Sequence, residues 1–332
     1  MKIAIVKLSA LGDIVHAMVV LQFIKKFNKE ISIDWIVEDS YKDLLKSNPH
    51  INKVYLINIK HAKKKKSLLA LIKEFKTVLK LPNYDLVIDM QGLIKSAFVS
   101  KLIPSKQTLG FDKFSSRERL SAMFYNKTFN YGYDKNVIER NFELIKFAFE
   151  FPFNREEIHH KLAFLHPNQQ HLTPSLSNIK KNIILIPGAS FSSKCYPVEK
   201  FAELTNLLDA NYLIVWGSDE EKLLADKIKK LAPHVNICEK LSMGDLISLV
   251  AKTNLVIGPD TGPTHIAWAL NIPSITIFGS TPGYRNTFIT ENNKVIESKS
   301  EVNPYKINKN DYSINDISVH DIVQIAKKLL HL

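Results

Sequence analysis

The chain has 332 residues, enough for two domains that each bury a core, and its 45% hydrophobic and 23% charged composition is that of an ordinary soluble globular protein. Its formal net charge of +12 indicates an anionic partner, which is nucleic acid, an acidic membrane surface or a phosphorylated substrate. The two cysteines, Cys195 and Cys238, form no CxxC pair and no cluster with histidine, which argues against a zinc site or disulfide framework and for a reducing cytosol.

The N-terminus and the apolar runs bear on targeting. Met1 leads directly into an apolar stretch, without the charged region or cleavage site of a signal peptide. No run approaches the roughly 18–20 apolar residues of a membrane span. We therefore expect neither a signal peptide nor a transmembrane helix.

Short, apolar, β-branched runs recur between longer helical patterns. They occupy residues 2–6, 33–37, 53–57 and 85–89 and, in a second series, residues 182–186, 212–216, 254–258 and 274–278. Runs that are apolar on both faces and separated by helices indicate parallel sheets covered on both sides. The sequence therefore predicts an α/β protein of two doubly wound parallel-sheet domains, whose ligands bind beyond the carboxyl ends of the strands.

A linker is predicted between Phe151 and Lys180, a stretch that contains three prolines and several polar residues. We place an N-terminal domain at 1–165 and a C-terminal domain at 175–317. The helical spacing at 318–330 predicts a final helix capped by Ser318. Residues 318–332 are expected to pack back towards the N-terminal domain.

The loop after the first strand, KLSALGDIVHAM at 7–18, carries Lys7, Ser9 and Asp13. Aspartate is a favoured N-cap, and the apolar spacing that follows predicts a helix with a buried face, so the loop alone favours capping over catalysis for Asp13. Two further segments, VIDMQGLIKSA at 87–97 and GFDKFSSRERL at 110–120, add polar side chains in the same domain: Asp89, Gln91, Gly92, Lys95, Arg117 and Arg119.

Residues 61–81, HAKKKKSLLALIKEFKTVLKL, combine a basic run with an amphipathic helix. Their apolar side chains suit a crossover helix that covers a sheet, and with the lysines they also suit contact with an anionic membrane. The pattern favours a crossover helix whose lysines face acidic lipid headgroups or substrate.

In the second domain, IGPDTGPTHIAWAL at 257–270 ends a strand, turns, and starts a helix near Pro263, since proline suits a first helical turn. The amides of Thr261, Gly262 and Thr264 would point out of the helix start, where the dipole is positive, and form a phosphate site. Gly262 also lets a ligand approach the backbone closely.

Two side chains of this motif leave alternatives open. Asp260 would repel a phosphate, so we expect it to order the turn or to accept from a sugar hydroxyl, while His265 donates to a phosphate oxygen. The alternative is a plain helix cap at Asp260 and Thr261, with His265 an ordinary surface residue.

Two more strand ends carry candidate donor contacts. PGASFSSKCYP at 187–197 lacks the GK[ST] ending of a P-loop and the GxGxxG of a dinucleotide site. Its hydroxyls and amides could cradle a diphosphate, with Lys194 neutralising a leaving group, but a solvated surface lysine fits equally well. In VWGSDEEK at 215–222, Glu221 either holds a ribose hydroxyl or simply starts a helix.

The motifs KLSALGDIVHAM, DMQGLIKSA, GASFSSKCYP and GPDTGPTH, in this order and at these spacings, resemble those of the ADP-heptose:lipopolysaccharide heptosyltransferases of Gram-negative bacteria, glycosyltransferase family 9. The resemblance covers nearly the whole chain and is weakest in the linker and at 285–315. It implies a GT-B fold, in which two Rossmann-like domains face each other across a cleft, with the acceptor in the N-terminal domain and the nucleotide-sugar in the C-terminal one.

The resemblance also implies a reaction and its residues. The reaction is inverting transfer of L-glycero-D-manno-heptose from ADP-heptose to the first Kdo of Kdo2-lipid A, without a metal or cofactor. The family's catalytic aspartate falls on Asp13 and its donor-binding lysine on Lys194, which we also expect to be catalytic. The implied donor site is Ala189, Ser190, Lys194, Glu221, Leu241, Asp260, Thr261, Gly262, Pro263 and His265. The candidate acceptor contacts are Lys7, Ser9, Gly12, Asp13, Gln91, Lys95, Arg117 and Arg140.

Three departures from the family pattern affect single contacts: Ala10, the pair Ala189-Ser190 and Tyr196 replace a common Ser, a Thr-Thr pair and a Trp. The expected mechanism survives them. An ionised Asp13 takes the acceptor's proton while Lys194 and the helix start stabilise the departing ADP. Because these groups lie in different domains, closure of the cleft is expected to assemble the site.

Three alternatives stay open: a sibling enzyme that adds the second or a later heptose, a nucleotide-sugar epimerase of the same fold, and a basic nucleic-acid-binding protein. No nucleic-acid motif is recognised and the basic residues are dispersed apart from one run, so we expect no nucleic-acid partner. We expect a cytoplasmic protein, held peripherally on the anionic cytoplasmic face of the inner membrane.

Overall fold

Parallel strand pairing divides the chain into two α/β units, Met1–Phe164 and Leu165–Leu332, each built on a six-stranded sheet. The computed structural model describes residues 1–167 and 176–332. Residues 168–175, which include Pro174 of the predicted linker and the predicted start of the C-terminal domain at 175, lie outside the described residues.

The N-terminal unit alternates strands and helices. Its strands are β1 (Lys2–Val6), β2 (Ser32–Glu38), β3 (Lys53–Ile57), β4 (Leu86–Asp89), β5 (Thr108–Phe111) and β6 (Lys127–Phe129). Its helices are α1 (Leu11–Met18), α2 (Val20–Phe27), α3 (Lys42–Leu45), α4 (Ile59–Lys64), α5 (Leu68–Leu79), α6 (Ile94–Leu102) and α7 (Val137–Phe149). Single 3-10 turns lie at Asp39–Tyr41, Arg119–Phe124 and Arg155–His160.

The C-terminal unit repeats this alternation. Its strands are β7 (Asn182–Leu185), β8 (Asn211–Ile214), β9 (Asn236–Ile237), β10 (Leu255–Pro259), β11 (Ser274–Phe278) and β12 (Asn293–Glu297). Its helices are α8 (Val198–Leu207), α9 (Asp219–Leu231), α10 (Met243–Val250), α11 (Gly262–Ala269), α12 (Gly283–Asn286) and α13 (Val319–Leu330). Its 3-10 turns lie at Ser192–Lys194 and Ser313–Asp316.

Both sheets have the same strand order. It is β3-β2-β1-β4-β5-β6 in the N-terminal unit and β12-β11-β10-β7-β8-β9 in the C-terminal unit, which is the Rossmann order in each case. The central strands are covered on both faces, which explains why their sequences read as unbroken apolar runs. The predicted pair of doubly wound parallel sheets is confirmed.

This order creates one switch point in each sheet, between β1 and β4 and between β7 and β10. The loops that follow these four strands meet there in pairs within each unit. They contain the motifs that the sequence singled out after 6, 89, 185 and 259. Strand order therefore explains why polar residues far apart in the chain form two clusters.

The prediction missed four strands, β5, β6, β9 and β12. Each lies in the outer part of its sheet; β9 has 2 residues and β6 has 3. In β12, NKVIE, most side chains are only partly buried, so the apolar run is short. The predicted crossover helix is confirmed as α5, whose Leu71, Phe75 and Val78 pack on the core beside β3 and β4.

The last helix, α13, belongs to the C-terminal unit. Its buried side chains join that unit's core, and it packs against α8, β10 and β11; they are Val319, Ile322, Val323, Ala326 and Leu330. Ser318 stands at the predicted N-cap position. The expectation that residues 318–332 pack towards the N-terminal domain stays a prediction, and the apolar face of α13 is buried within the C-terminal core.

Candidate active site

Asp13 lies in the first turn of α1 and is exposed. The N-cap position is taken by Ala10, and Asp13 Oδ2 accepts a hydrogen bond from the Ala10 backbone N–H at 3.2 Å. The carboxylate thus supports the helix start from inside, as the acidic half of a capping box does. The predicted capping role is present in this altered form, and the carboxylate stays accessible to a substrate.

The loop that carries Asp13 is fastened to the loop after β4. Gln91 Oε1 accepts from the backbone N–H groups of Leu8 at 2.7 Å and Ser9 at 3.3 Å. The buried Lys7 Nζ donates to the Met90 carbonyl at 3.0 Å. Lys7 and Gln91 were predicted as acceptor contacts, and in the structure their side chains hold the two loops together. Ser9, which was also predicted, is half-buried.

Asp89, at the end of β4, organises the turn that presents Gln91. Its Oδ1 accepts from the backbone N–H groups of Gln91 at 2.8 Å and Gly92 at 3.2 Å, and its Oδ2 accepts from the Tyr125 hydroxyl at 2.8 Å. Gly92 has φ +69°, a conformation that favours glycine. Burial raises the pKa of Asp89 despite these hydrogen bonds.

An ion pair joins α6 to the end of β2. Lys95 Nζ contacts the buried Glu38 Oε1 at 3.0 Å, and Glu38 also accepts from the Lys60 backbone N–H. Burial raises the pKa of Tyr41, and the nearby charges of Glu38 and Asp13 raise it further. Sequence reasoning missed Glu38 and Tyr41, although Glu38 ends a strand at the same sheet edge.

The remaining predicted acceptor contacts differ in exposure. Arg117 is exposed and Gly12 is half-buried in α1. Arg140 is buried: its guanidinium donates to the carbonyls of Tyr131, Gly132 and Ser115 and stacks on the Phe111 ring. This geometry corrects the prediction for Arg140, because its donors stabilise backbone inside the N-terminal unit.

In the C-terminal unit, Lys194, Asp260 and His265 form a buried charged cluster at the switch point. Lys194 Nζ donates to Asp260 Oδ2 at 2.8 Å, and His265 Nε2 lies 3.1 Å from Asp260 Oδ1. Burial works to raise the pKa of Asp260, but the Lys194 charge and the His265 contact outweigh it and hold that pKa well below its ordinary range. The alternatives of a solvated Lys194 and a surface His265 are therefore wrong.

The sequence analysis did not identify two residues that donate hydrogen bonds to Asp260. Thr281 Oγ1 and Asn286 Nδ2 donate to Asp260 Oδ2 at 3.0 Å and 3.1 Å. Both residues follow β11, the next strand along the sheet from β10. The sequence signal that could have indicated these contacts is the polar segment STPG, which follows β11 and Gly279 and resembles no known phosphate motif.

The start of α11 matches the predicted strand, turn and helix. Thr261 holds the N-cap position, Gly262 opens the helix, and Pro263 lies in its first turn. The Thr264 backbone N–H donates to the Thr261 carbonyl at 3.2 Å, and its hydroxyl donates to the Pro259 carbonyl at 2.9 Å. The expectation of a free amide at Thr264 is therefore wrong, and the half-buried residues of the helix start are Thr261, Gly262 and Pro263.

Glu221 lies in the first turn of α9, as the helix-start alternative expects, and its contact with a ribose stays a prediction. Its Oε2 accepts from the Gly217 backbone N–H at 2.6 Å, while Ser218 caps α9. A Cβ at Gly188 would lie 2.3 Å from Glu221 Cγ, so glycine is needed for this packing. Glu221 also lines a cavity of about 720 Å³ together with Gly188, Ala189, Ser190, Phe191, Ser192, Cys195, Tyr196, Pro197, Val198, Ser218, Glu220, Leu224, Tyr312 and Asn315.

The other predicted donor contacts are accessible. Ala189 is half-buried and Ser190 is exposed on the loop after β7, and Leu241 is half-buried in the loop before α10. Within residues 1–167 and 176–332, no group of three His, Cys, Asp or Glu side chains is arranged to hold a metal ion. In the same ranges, no helix has both the length and the apolar character needed to cross a bilayer.

Solved structures resemble the whole chain. Escherichia coli heptosyltransferase WaaC with ADP-2-deoxy-2-fluoro heptose superposes with a TM-score of 0.78 at 22% identity, covering 99% of both chains. A family 9 glycosyltransferase from Veillonella parvula superposes with a TM-score of 0.82 at 16% identity, covering 99% of this chain and 97% of that one. At these identities the likeness shows the fold, and the expected GT-B class is confirmed.

Sequence relatives identify the family. Lipopolysaccharide heptosyltransferase 1 of Campylobacter coli is 38% identical over 348 aligned positions, covering 99% of each protein. The protein of that name in Escherichia coli K12 is 28% identical, covering 85% of this chain and 89% of its own length. A family model described as glycosyltransferase family 9 (heptosyltransferase) matches residues 72–313. With most of its length matched, the chain belongs to glycosyltransferase family 9, the heptosyltransferases.

Proposed function

We propose that the chain moves L-glycero-D-manno-heptose from ADP-heptose onto the first Kdo of Kdo2-lipid A, with inversion at the anomeric carbon. The observation that carries the proposal is the buried Lys194–Asp260–His265 cluster beside the start of α11. Membership of the heptosyltransferase family supports the sugar, and the 38% identical relative supports the first addition to the core.

The C-terminal unit supplies positive charge for the leaving group. As the bond between the heptose and the diphosphate breaks, negative charge grows on ADP, and Lys194, His265 and the α11 start at Thr261 and Gly262 stabilise it. Asp260 fixes the orientation of Lys194 and of the His265 ring. We assign this electrostatic work to these groups and therefore propose a transfer that needs no metal or other cofactor.

The rest of the nucleotide-sugar is assigned to the surrounding strand ends. Glu221 accepts from the ribose, and the loop at Ala189 and Ser190 contacts the diphosphate through its backbone and its one hydroxyl. Leu241 contacts the adenine. The support is that Glu221, Ala189 and Ser190 line one cavity in the C-terminal unit.

The N-terminal unit supplies the base. Asp13 takes the proton of the acceptor hydroxyl as that oxygen attacks the anomeric carbon. Its exposure and its orientation by the Ala10 N–H support this role. Ser9 and Gly12 border the carboxylate, and Lys95 and Arg117 are the cations assigned to the acidic acceptor.

We further propose that the protein works as a peripheral protein on the cytoplasmic face of the inner membrane, because its acceptor is a membrane lipid. The net charge of +12 supports an anionic surface. A nucleic-acid partner forms no part of the proposal.

The test is a transfer assay with purified protein, ADP-heptose and Kdo2-lipid A, read by ADP release and product mass. We expect one heptose on the acceptor and no ADP release without acceptor. Transfer only to an acceptor that already carries a heptose would instead identify a sibling enzyme. A nucleotide-linked product formed without acceptor would identify an epimerase.

A further inference from the structure

We propose that the outward face of α5 docks the N-terminal unit onto an anionic lipid bilayer. The α5 face is defined by the exposed Leu68, Leu69, Ile72 and Leu79 with the exposed lysines around them. The inference rests on the proposed function only for which membrane is meant, and it names the surface that holds the enzyme beside a lipid acceptor.

The apolar face of the helix α5 is wider than the stripe that packs on the core. Leu71, Phe75 and Val78 point into the core, as in any crossover helix. Beside this buried stripe, the exposed fractions are 70% for Leu68, 81% for Leu69, 40% for Ile72 and 53% for Leu79. Leu68, Ile72 and Leu79 are four and seven residues apart, so they share one side of the helix. A crossover helix that met only water would carry polar residues there.

The charge around this apolar side has one sign. Residues 60–80 contain eight lysines and a single carboxylate, Glu74. The lysines are exposed and are Lys60, Lys63, Lys64, Lys65, Lys66, Lys73, Lys76 and Lys80. Glu74 is half-buried, and its Oε2 accepts from the Asn58 backbone N–H at 2.8 Å. Exposed leucines ringed by lysines match an anionic bilayer, whose headgroups pair with the cations while its acyl region takes the apolar side chains.

The surface continues onto two neighbouring elements. Phe75 of α5 packs edge-on against Phe98 of α6, and Phe98 packs edge-on against Phe124 of the 3-10 turn at Arg119–Phe124. This row of rings joins the three elements. The turn adds exposed Leu120 and Met123, with exposed fractions of 61% and 79%, next to exposed Arg119. The same combination of apolar and basic side chains thus recurs beside α5.

A second copy of the chain fits this surface less well. In a two-fold symmetric dimer the same patch meets itself, so the lysines of the two copies would oppose one another. Like charges brought together at an interface are unfavourable. A bilayer supplies the opposite charge and the apolar layer at once.

Exposed leucines elsewhere provide the contrast. The helix α9 exposes Leu223 and Leu231, but its lysines are interleaved with Asp219, Glu220, Glu221 and Asp226. Such a face has no excess of one charge to hold it at an anionic surface. Docking is therefore specific to α5 and its neighbours, and residues outside that region serve as controls.

The experiment is co-sedimentation of the full-length protein with phosphatidylcholine vesicles, with or without phosphatidylglycerol. We expect strong binding only to the anionic vesicles and a marked loss at high salt. The variant Leu68→Ser/Leu69→Ser/Ile72→Ser should lower the partition coefficient about tenfold or more, because it removes the inserted apolar area. The matched control Leu162→Ser/Ile179→Ser/Leu231→Ser, whose side chains are 73%, 96% and 51% exposed, should bind as the wild type does.

Several outcomes overturn the proposal: equal binding by the α5 variant and the wild type, equal losses in the α5 and control variants, or equal binding to neutral and anionic vesicles. A dimeric wild type that becomes monomeric in the α5 variant would assign the face to a second copy. Thermal unfolding checks that both variants are folded.

A second readout separates this proposal from the proposed function. With an acceptor stripped of its acyl chains and no vesicles present, the α5 variant should transfer heptose at the wild-type rate. Failure of the wild type to transfer to any acceptor, combined with the expected vesicle results, would overturn the proposed function and support the docking surface.

Discussion

Each switch point contains a buried aspartate, and the pKa of that aspartate is shifted in opposite directions in the two units. Asp89 ends β4 and Asp260 follows β10, which is the fourth strand of its own unit, so the two hold equivalent places in sheets of the same order. Asp89 is paired with neutral donors, and burial raises its pKa. Asp260 is paired with Lys194 and His265, which hold its pKa well below the ordinary range against the effect of burial.

This difference separates two kinds of scaffold. Around Asp89, neutral donors order the turn that presents Gln91, and Gln91 helps to fasten the loop that carries the exposed Asp13. Around Asp260, a fixed negative charge orients the Lys194 ammonium and the His265 ring. The N-terminal unit thus presents an exposed carboxylate, and the C-terminal unit presents a lysine held by a buried carboxylate. Proton removal and leaving-group stabilisation need this division.

The largest effect is expected from Asp13→Asn, which keeps the shape but removes the base. We expect kcat to fall about a thousandfold, within the range for general bases, with ADP affinity unchanged. Turnover is measured by ADP release and affinity by calorimetry. Near-normal turnover in the folded variant would overturn the assignment of the base.

The next largest effect is expected from Asp260→Asn, which leaves Lys194 buried without its counter-charge. The free energy of unfolding should fall by about 3 kcal/mol at neutral pH. Asp89→Asn is the matched control: asparagine can still accept from the turn's N–H groups, so we expect a loss below about 1 kcal/mol. Urea unfolding measures both, and equal losses would contradict the contrast between the two scaffolds.

The pH dependence of these two variants should run in opposite directions. Because the Asp260 pKa is lowered by folding, its ionised form contributes stability at neutral pH, and that contribution declines as the pH falls below the ordinary value of about 4. The deficit of Asp260→Asn should therefore shrink on acidification. The Asp89 pKa is raised by folding, so its ionisation costs stability as pH rises, and acidification should favour wild type over Asp89→Asn.

A smaller effect is expected from Lys194→Ala. Losing one charged hydrogen bond to the diphosphate should weaken ADP binding about thirtyfold, which corresponds to about 2 kcal/mol. Lys252→Ala, which removes an exposed lysine of the same unit, is the control and should bind ADP normally. Unchanged ADP affinity in Lys194→Ala would mean that the buried pair with Asp260 is purely structural.

The sequence predicted the individual residues of the C-terminal site better than the contacts between them. Lys194, Asp260 and His265 each stood out as a polar residue after a strand. Lys194 and Asp260 are 66 residues apart, however, and only the strand order brings them into contact. Arg140 shows the reverse error: its charge suggested an acceptor contact, but it lies on the buried side of α7. The charge of an arginine does not reveal whether its N–H groups will donate to backbone carbonyls or to a ligand.

Thr281 was missed for a related reason, since it acts through Asp260 and matches no phosphate motif. Its hydroxyl donates to the same Oδ2 that receives Lys194, so we expect Thr281→Val to loosen the lysine's position. ADP affinity should fall about fivefold, the effect of one neutral hydrogen bond of about 1 kcal/mol. Thr281→Ser, which keeps the hydroxyl, should restore it.

The kinetic pattern decides whether Thr281 is a positioning residue. If it only orients Lys194 for the donor, the KM for ADP-heptose should rise in Thr281→Val while kcat at saturating donor stays within about twofold of the wild type. A role of the Thr281 methyl group in packing would instead lower the stability of Thr281→Ser, which loses that methyl group, and leave the KM unchanged in Thr281→Val. Asp260 retains Asn286 and His265 as partners in both variants. We therefore expect Thr281→Val to have a smaller effect than Asp13→Asn, Asp260→Asn or Lys194→Ala.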